Sequence, residues 1–156
     1  MRLLILAVGR LRAGPERDLT ADYLARAGRT GRPLGLGPAE LSEIDERKAR
    51  GAPAQGAALI AARPAAAPLW LLDARGEALT SPGFAAALAA ARDGGARTLA
   101  LAVAGADGAD GALRGAADRQ ISLGAMIWPH ALARVMLAEQ IYRATTILAG
   151  TPYHRG

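Results

Sequence analysis

The chain has 156 residues and a formal charge of +5, from 19 basic and 14 acidic side chains, with no cysteine and only two histidines, His130 and His154. That length suits a single domain, 1–156, able to bury roughly 68–70% of its unfolded surface without covalent staples. Disulfides, thiolate metal sites and a cysteine nucleophile are excluded, and two histidines make a poor metal site, so no metal is expected. Residues 3–8, ended by Gly9, read as a buried strand; the apolar start lacks the charged leader and cleavage site of a signal peptide. Residues 15–27 read as a helix, with Pro15 at its first position, Glu16 and Asp18 in its first turn, and an apolar stripe of Leu19, Tyr23 and Leu24. A weak strand is expected at 34–36, among alternating glycines. Residues 37–53 are charged, with Pro and Gly at their ends, and read as a mobile surface loop with room for a short helix.

A short helix is expected at 55–63, ended before Pro64. Residues 69–72 read as a strand followed by a tight turn through Asp73 to Gly76. Ser81 is expected to cap a helix over 82–92, which Gly94 and Gly95 end. Residues 98–103 read as a buried strand, 104–108 as its glycine-rich exit loop, 111–120 as a helix and 121–123 as a very short strand. An apolar loop over 124–128 leads to the longest helix, 129–148, and then the tail. No run reaches the ~18 apolar residues of a membrane span, so a cytoplasmic protein without a membrane partner is expected.

Strands alternating with helices predict an α/β fold: a mostly parallel sheet with helices on both faces. In such sheets ligands bind beyond the carboxyl ends of the strands. Here those ends are the turn after Leu72, the loop 104–108 and the loop 124–128, which follow successive strands and could line one pocket. The pI near 10.6 suits an anionic partner, nucleic acid first, and equally a merely solvated basic surface; charge alone does not separate the two. Arginine-rich composition weakens any argument from arginine count, because Lys48 is the one lysine.

Four features could carry chemistry. The loop after Val103 resembles a phosphate cradle but lacks a P-loop lysine; its plainer reading is an ordinary strand-to-helix turn. Asp73 suits a ribose contact, or, taken alone, a turn aspartate capping backbone amides. Glu139 lies on an apolar stretch with Arg143 at i+4, the favourable order for an ion pair; an ion pair at a helix–helix or subunit contact is the preferred reading, and orientation of an active-site arginine the functional one. The tail places a phenol, an imidazole and a guanidinium in consecutive positions, Tyr153, His154 and Arg155, with Pro152 stiffening the approach.

The segment 121–155 resembles the pseudouridine N3-methyltransferases of large-subunit ribosomal RNA, a family within the SPOUT, or trefoil-knot, superfamily. The matching residues are Pro129 and His130, Arg134 and Val135, Glu139 and Gln140, Tyr142, Arg143 and Ala144, then Ile147, Gly150, Pro152, Tyr153, His154 and Arg155. An opening strand ending in Ala7–Val8–Gly9, the pair Tyr23 and Arg26, and Leu72–Asp73 followed by Gly76 extend the likeness over the whole chain. The resemblance implies a knotted C-terminus and a homodimer whose tail lies near the neighbouring subunit's pocket. It implies S-adenosylmethionine as cofactor, contacted by Leu72, Ala104, Gly105 and the run Leu123, Gly124, Ala125, Met126, Ile127 and Trp128. The implied substrate is a pseudouridine, position 1915, in a stem-loop of the large-subunit RNA in the assembled 70S ribosome. His154 is the implied proton acceptor with Tyr153 competing, Arg155 or Arg143 the anion contact, and Glu139 and His130 supporting groups. One departure stands out: Ala104 replaces the first glycine of the family's loop, and its methyl would crowd the cofactor or shift the loop. The alternative is therefore a catalytically inactive RNA-binding or ribosome-assembly homologue of the same fold.

Overall fold

The computed structural model describes residues 1–155. Five strands form one sheet: β1 (Arg2–Val8), β2 (Ala39–Ile44), β3 (Leu69–Ala78), β4 (Thr98–Val103) and β5 (Arg119–Ser122). Their order is β2-β1-β4-β3-β5 and every pairing is parallel. Five α-helices connect them: α1 (Pro15–Gly31), α2 (Gly51–Ala62), α3 (Ser81–Asp93), α4 (Gly111–Ala116) and α5 (His130–Leu148).

The two-residue period of a strand sorts the core into two layers. Leu3, Ile5 and Ala7 of β1 join Leu24 of α1, Leu88 of α3 and Leu137 and Ile141 of α5 on one face. Leu4, Leu6 and Val8 join Leu59 of α2 and Leu113 of α4 on the other. Both faces are covered, which is why β1 and β4 are almost continuously apolar. The expected mostly parallel sheet with helices on both faces is what the chain forms.

Several boundaries differ from expectation. No strand forms at 34–36: Arg32–Leu34 is a 3₁₀ turn, and Leu36 N–H donates to Gly31 O at 2.9 Å. The second strand lies instead at Ala39–Ile44, inside the segment expected to be a mobile loop. Its acidic residues made it read as solvated, yet they have distant partners. Arg2 Nε donates to Glu40 Oε2 at 2.8 Å, and Leu11 N–H donates to Glu43 Oε1 at 2.7 Å. As an edge strand, β2 needs only one apolar flank, and charge on an edge is ordinary. Helix α2 starts at Gly51 and α1 continues to Gly31, each four residues beyond its expected limit. Helix α4 ends at Ala116, well short of 120, because the chain must already be extended for β5 at Arg119. Thr80, not Ser81, caps α3, its hydroxyl accepting from Gly83 N–H at 3.1 Å. The freed Ser81 Oγ donates to Gln140 Oε1 at 2.8 Å and so ties α3 to α5. Strand β3 also runs past the expected turn. Its register with β5 jumps between Leu72 and Glu77, so residues 73–76 bulge away at the strand's carboxyl end.

Candidate active site

The carboxyl ends of β4, β3 and β5 lie side by side in the sheet, and their exit loops converge on one cleft of about 290 Å³. That is at the small end for sites that hold small molecules. Leu72 comes from β3, Ala104 and Gly105 from the loop after β4, and Leu123, Gly124, Met126, Ile127 and Trp128 from the loop after β5. His130, at the start of α5, closes one side. Ala125 alone of the expected cofactor run does not line the cleft. The last loop begins with a fixed turn, since Ser122 Oγ accepts from Gly124 N–H at 3.1 Å and donates to Gly124 O at 3.0 Å. Met126 and Ile127 are 68% and 93% exposed and form an apolar lip over the opening.

Two polar features frame the cleft. Asp73 accepts from its own turn, Arg75 N–H at 2.9 Å, and from Arg114 Nε at 2.8 Å. Its carboxylate is almost buried and both its oxygens are engaged, so the turn-capping reading of Asp73 is the one the geometry favours. Arg114 had no signal in the sequence; it reaches the cleft from α4 across 41 residues of chain. The Ala104–Gly105 segment forms a wall with little side-chain bulk. Gly105 lies so close to α2 that a Cβ there would stand 2.4 Å from Gln55 Oε1. Ala104 has no such constraint: its φ lies outside the left-handed region, in which Ala66 is the one non-glycine among the described residues. Its methyl is therefore compatible with the backbone the loop adopts.

The tail residues gather elsewhere. Helix α5 ends at Leu148, and two residues on, Gly150, with a φ of +66°, reverses the chain at low cost for a residue without a side chain. Residues 151–155 then run back along the helix. Tyr153 Oη donates to Glu139 Oε1 at 3.0 Å, and Arg143 Nε donates to the same oxygen at 2.9 Å. Arg143 Nη1 lies 3.4 Å from His154 Nδ1, and its guanidinium lies over the Tyr153 ring, 4.7 Å from the centroid. Tyr142 also packs against Tyr153, tilted, at 4.7 Å between centroids. Gln140 Nε2 donates to the second Glu139 oxygen at 2.7 Å, so both carboxylate oxygens are satisfied. Burial, and then the hydrogen bond to Glu139, push the Tyr153 phenol well above its usual range. The hydrogen bond to Glu139 likewise raises Arg143. None of Tyr153, His154 and Arg155 lines the cleft.

Arg134, quoted in the sequence pattern without a role, is fully buried in α5. It donates to the carbonyl oxygens of Val8 and Gly9, the latter at 2.8 Å, and its Nη1 lies 3.2 Å from Glu43. Burial pushes its pKa down, while Glu43 and Glu46 oppose that shift. It staples α5 to the carboxyl end of β1. Among the described residues no cluster of three metal-ligating side chains occurs, and no helix is long and apolar enough to cross a membrane.

A family model described as predicted SPOUT methyltransferase matches residues 1–154. The ribosomal RNA large subunit methyltransferase H of Ruegeria pomeroyi is 59% identical over 155 residues, covering 99% of each chain. Proteins with the same description from Dinoroseobacter shibae and Cereibacter sphaeroides are 57% and 58% identical, also over 99% of each chain. Likeness of this depth spans the cleft loops, the α5 pattern and the tail together, and the chain belongs to the SPOUT methyltransferase family.

Proposed function

We propose that the chain, acting as one domain over 1–156, methylates N3 of a pseudouridine in large-subunit ribosomal RNA with S-adenosylmethionine as methyl donor. The observation that carries this reading is the convergence of three strand-end loops on one cleft in a chain whose relatives are named as methyltransferases of that RNA. The cleft suits the cofactor. The small residues Ala104 and Gly105 form one wall with little side-chain bulk, and Leu72, Leu123 and Ile127 supply apolar contacts. Bound there, S-adenosylmethionine supplies a methyl group already activated on a sulfonium.

The protein then has to position the base and take its imide proton. Tyr153 is a poor acceptor, because its raised pKa and its hydrogen bond to Glu139 keep the phenol protonated. His154 is accordingly the proton acceptor, a ring nitrogen taking the N3 proton as the methyl group arrives. Glu139 and Arg143 hold the tail in place, and Arg155 contacts RNA phosphate, with His130 supporting the cleft. Since the tail lies outside its own subunit's cleft, a second subunit is needed to bring the two together. An apolar groove of about 510 Å³, bounded by Leu19, Tyr23, Phe84, Val135 and Met136, and the exposed Leu132 beside it, supply a face for that homodimer. The knotted C-terminus that the family resemblance implies is part of this reading.

The test is mass spectrometry of large-subunit RNA from a strain lacking the protein. The pseudouridine should be lighter by one methyl substitution, and regain that mass when 70S ribosomes from that strain meet the purified protein and S-adenosylmethionine. An unchanged RNA would exclude the reading.

A further inference from the structure

Buried polar side-chain atoms are rarely left without a partner. Gln55 of α2 is an exception. The residue is 8% exposed, and its Oε1 has no hydrogen-bond partner among the described residues. That oxygen presses on Gly105, where a Cβ would stand 2.4 Å from it and 3.2 Å from Val8 Cγ1. Gly105 is thus a single layer of backbone, with the cleft on one side and Gln55 behind it. The next residue of α2, Gly56, makes room for Asp110, whose Oδ1 accepts from Leu113 N–H at 2.9 Å. Helix α2 therefore backs both ends of the glycine-rich segment. Its contact at Asp110 involves a satisfied oxygen, whereas its contact at Gly105 involves an unsatisfied one.

A glutamine needed only to fill space could be exchanged for an apolar side chain of similar volume, and the unpaired oxygen counts against it. What would justify it is a donor that arrives when the loop moves. The loop that Gln55 backs offers such donors in the backbone N–H groups of residues 105–107, within the turn closed by Gly108 N–H to Gly105 O at 3.0 Å. We propose that Gln55 is the positioning residue of this loop: when S-adenosylmethionine fills the cleft, a backbone N–H of residues 105–107 donates to Gln55 Oε1 and holds the loop against the ligand. This rests on the reading of the cleft as the cofactor site.

Gln55→Met keeps the volume and removes the acceptor. Its melting temperature should equal or exceed that of the wild type, because an orphaned oxygen is gone. Its affinity for S-adenosylmethionine by calorimetry should fall about tenfold, the worth of one hydrogen bond made only in the complex. The protection of loop amides against hydrogen exchange that the cofactor confers should fall with it. Gln55→Glu keeps an acceptor and should stay within about threefold of wild-type affinity, even if a buried charge lowers its melting temperature. Affinity unchanged in Gln55→Met, or lowered only together with its melting temperature, overturns the proposal. So does a folded Gln55→Glu that binds as weakly as the methionine variant. A wild-type chain that fails to bind S-adenosylmethionine removes the cofactor reading itself and this proposal with it, an outcome distinct from equal binding by wild type and variant.

Discussion

The strand-end cleft and the C-terminal tail are built by opposite means. The cleft takes its shape from the loops at the ends of β3, β4 and β5, and apart from the Asp73–Arg114 pair most of its lining is apolar or small. The tail is held by particular atoms: Glu139 Oε1 receives both Tyr153 Oη and Arg143 Nε, and the guanidinium of Arg143 touches the ring of Tyr153 and approaches His154. A site shaped by loops tolerates a methyl group such as that of Ala104, whereas a site made of side-chain contacts depends on each of its members. Substrate chemistry and cofactor binding should therefore separate cleanly when one region is altered.

The largest separation is expected from deleting residues 153–156. Ribosome methylation should drop on the order of a hundredfold or more, the scale of losing a general base, while S-adenosylmethionine affinity stays within about twofold. Loss of both together would mean that the tail shapes the cleft. Arg143→Ala removes the group that links Glu139, Tyr153 and His154; methylation should fall by roughly tenfold or more, with cofactor titrations unchanged. Tyr153 offers a subtler probe. Its pKa is raised above the usual 10.0, so the folded chain keeps the phenol proton where the unfolded chain loses it. The stability it confers is fully present below pH 10 and drains away as pH rises through the folded value. Alkaline thermal melts of Tyr153→Phe should lack that decline, and a decline identical to wild type would contradict the assignment. The smallest effect is expected at Ala104→Gly, with affinity equal to wild type or up to about threefold tighter, because the loop backbone already accepts alanine. A large gain in affinity would show that the methyl does crowd the cofactor.

The same contrast explains what could be read from the sequence. Strands β1 and β4 declare themselves as unbroken apolar runs because both faces of the sheet are covered. The tail is legible because its chemistry is consecutive: Tyr153, His154 and Arg155 stand together whatever the fold does. Strand β2 is not, since its glutamates are satisfied by Arg2 and by the amide of Leu11, more than thirty residues away in sequence. The cleft is half legible. Its loops follow from strand ends, but Arg114 meets Asp73 across 41 residues, and Gln55 meets Gly105 only because α2 packs behind the loop after β4. Pairings of that kind have no period and no local motif.

The separation of cleft and tail within one subunit has a direct consequence for a dimer, and mixing two crippled variants tests it. One carries Gly105→Val, whose side chain collides with Gln55 behind the loop and so displaces the cleft wall; the other lacks residues 153–156. Each should be nearly inactive alone. After unfolding and refolding together, half of the dimers would pair an intact cleft in one subunit with an intact tail in the other. Methylation should return to about a quarter of the wild-type rate. A mixture no more active than its parents, with mixed dimers verified by mass, would contradict the assembly of the active site from two subunits.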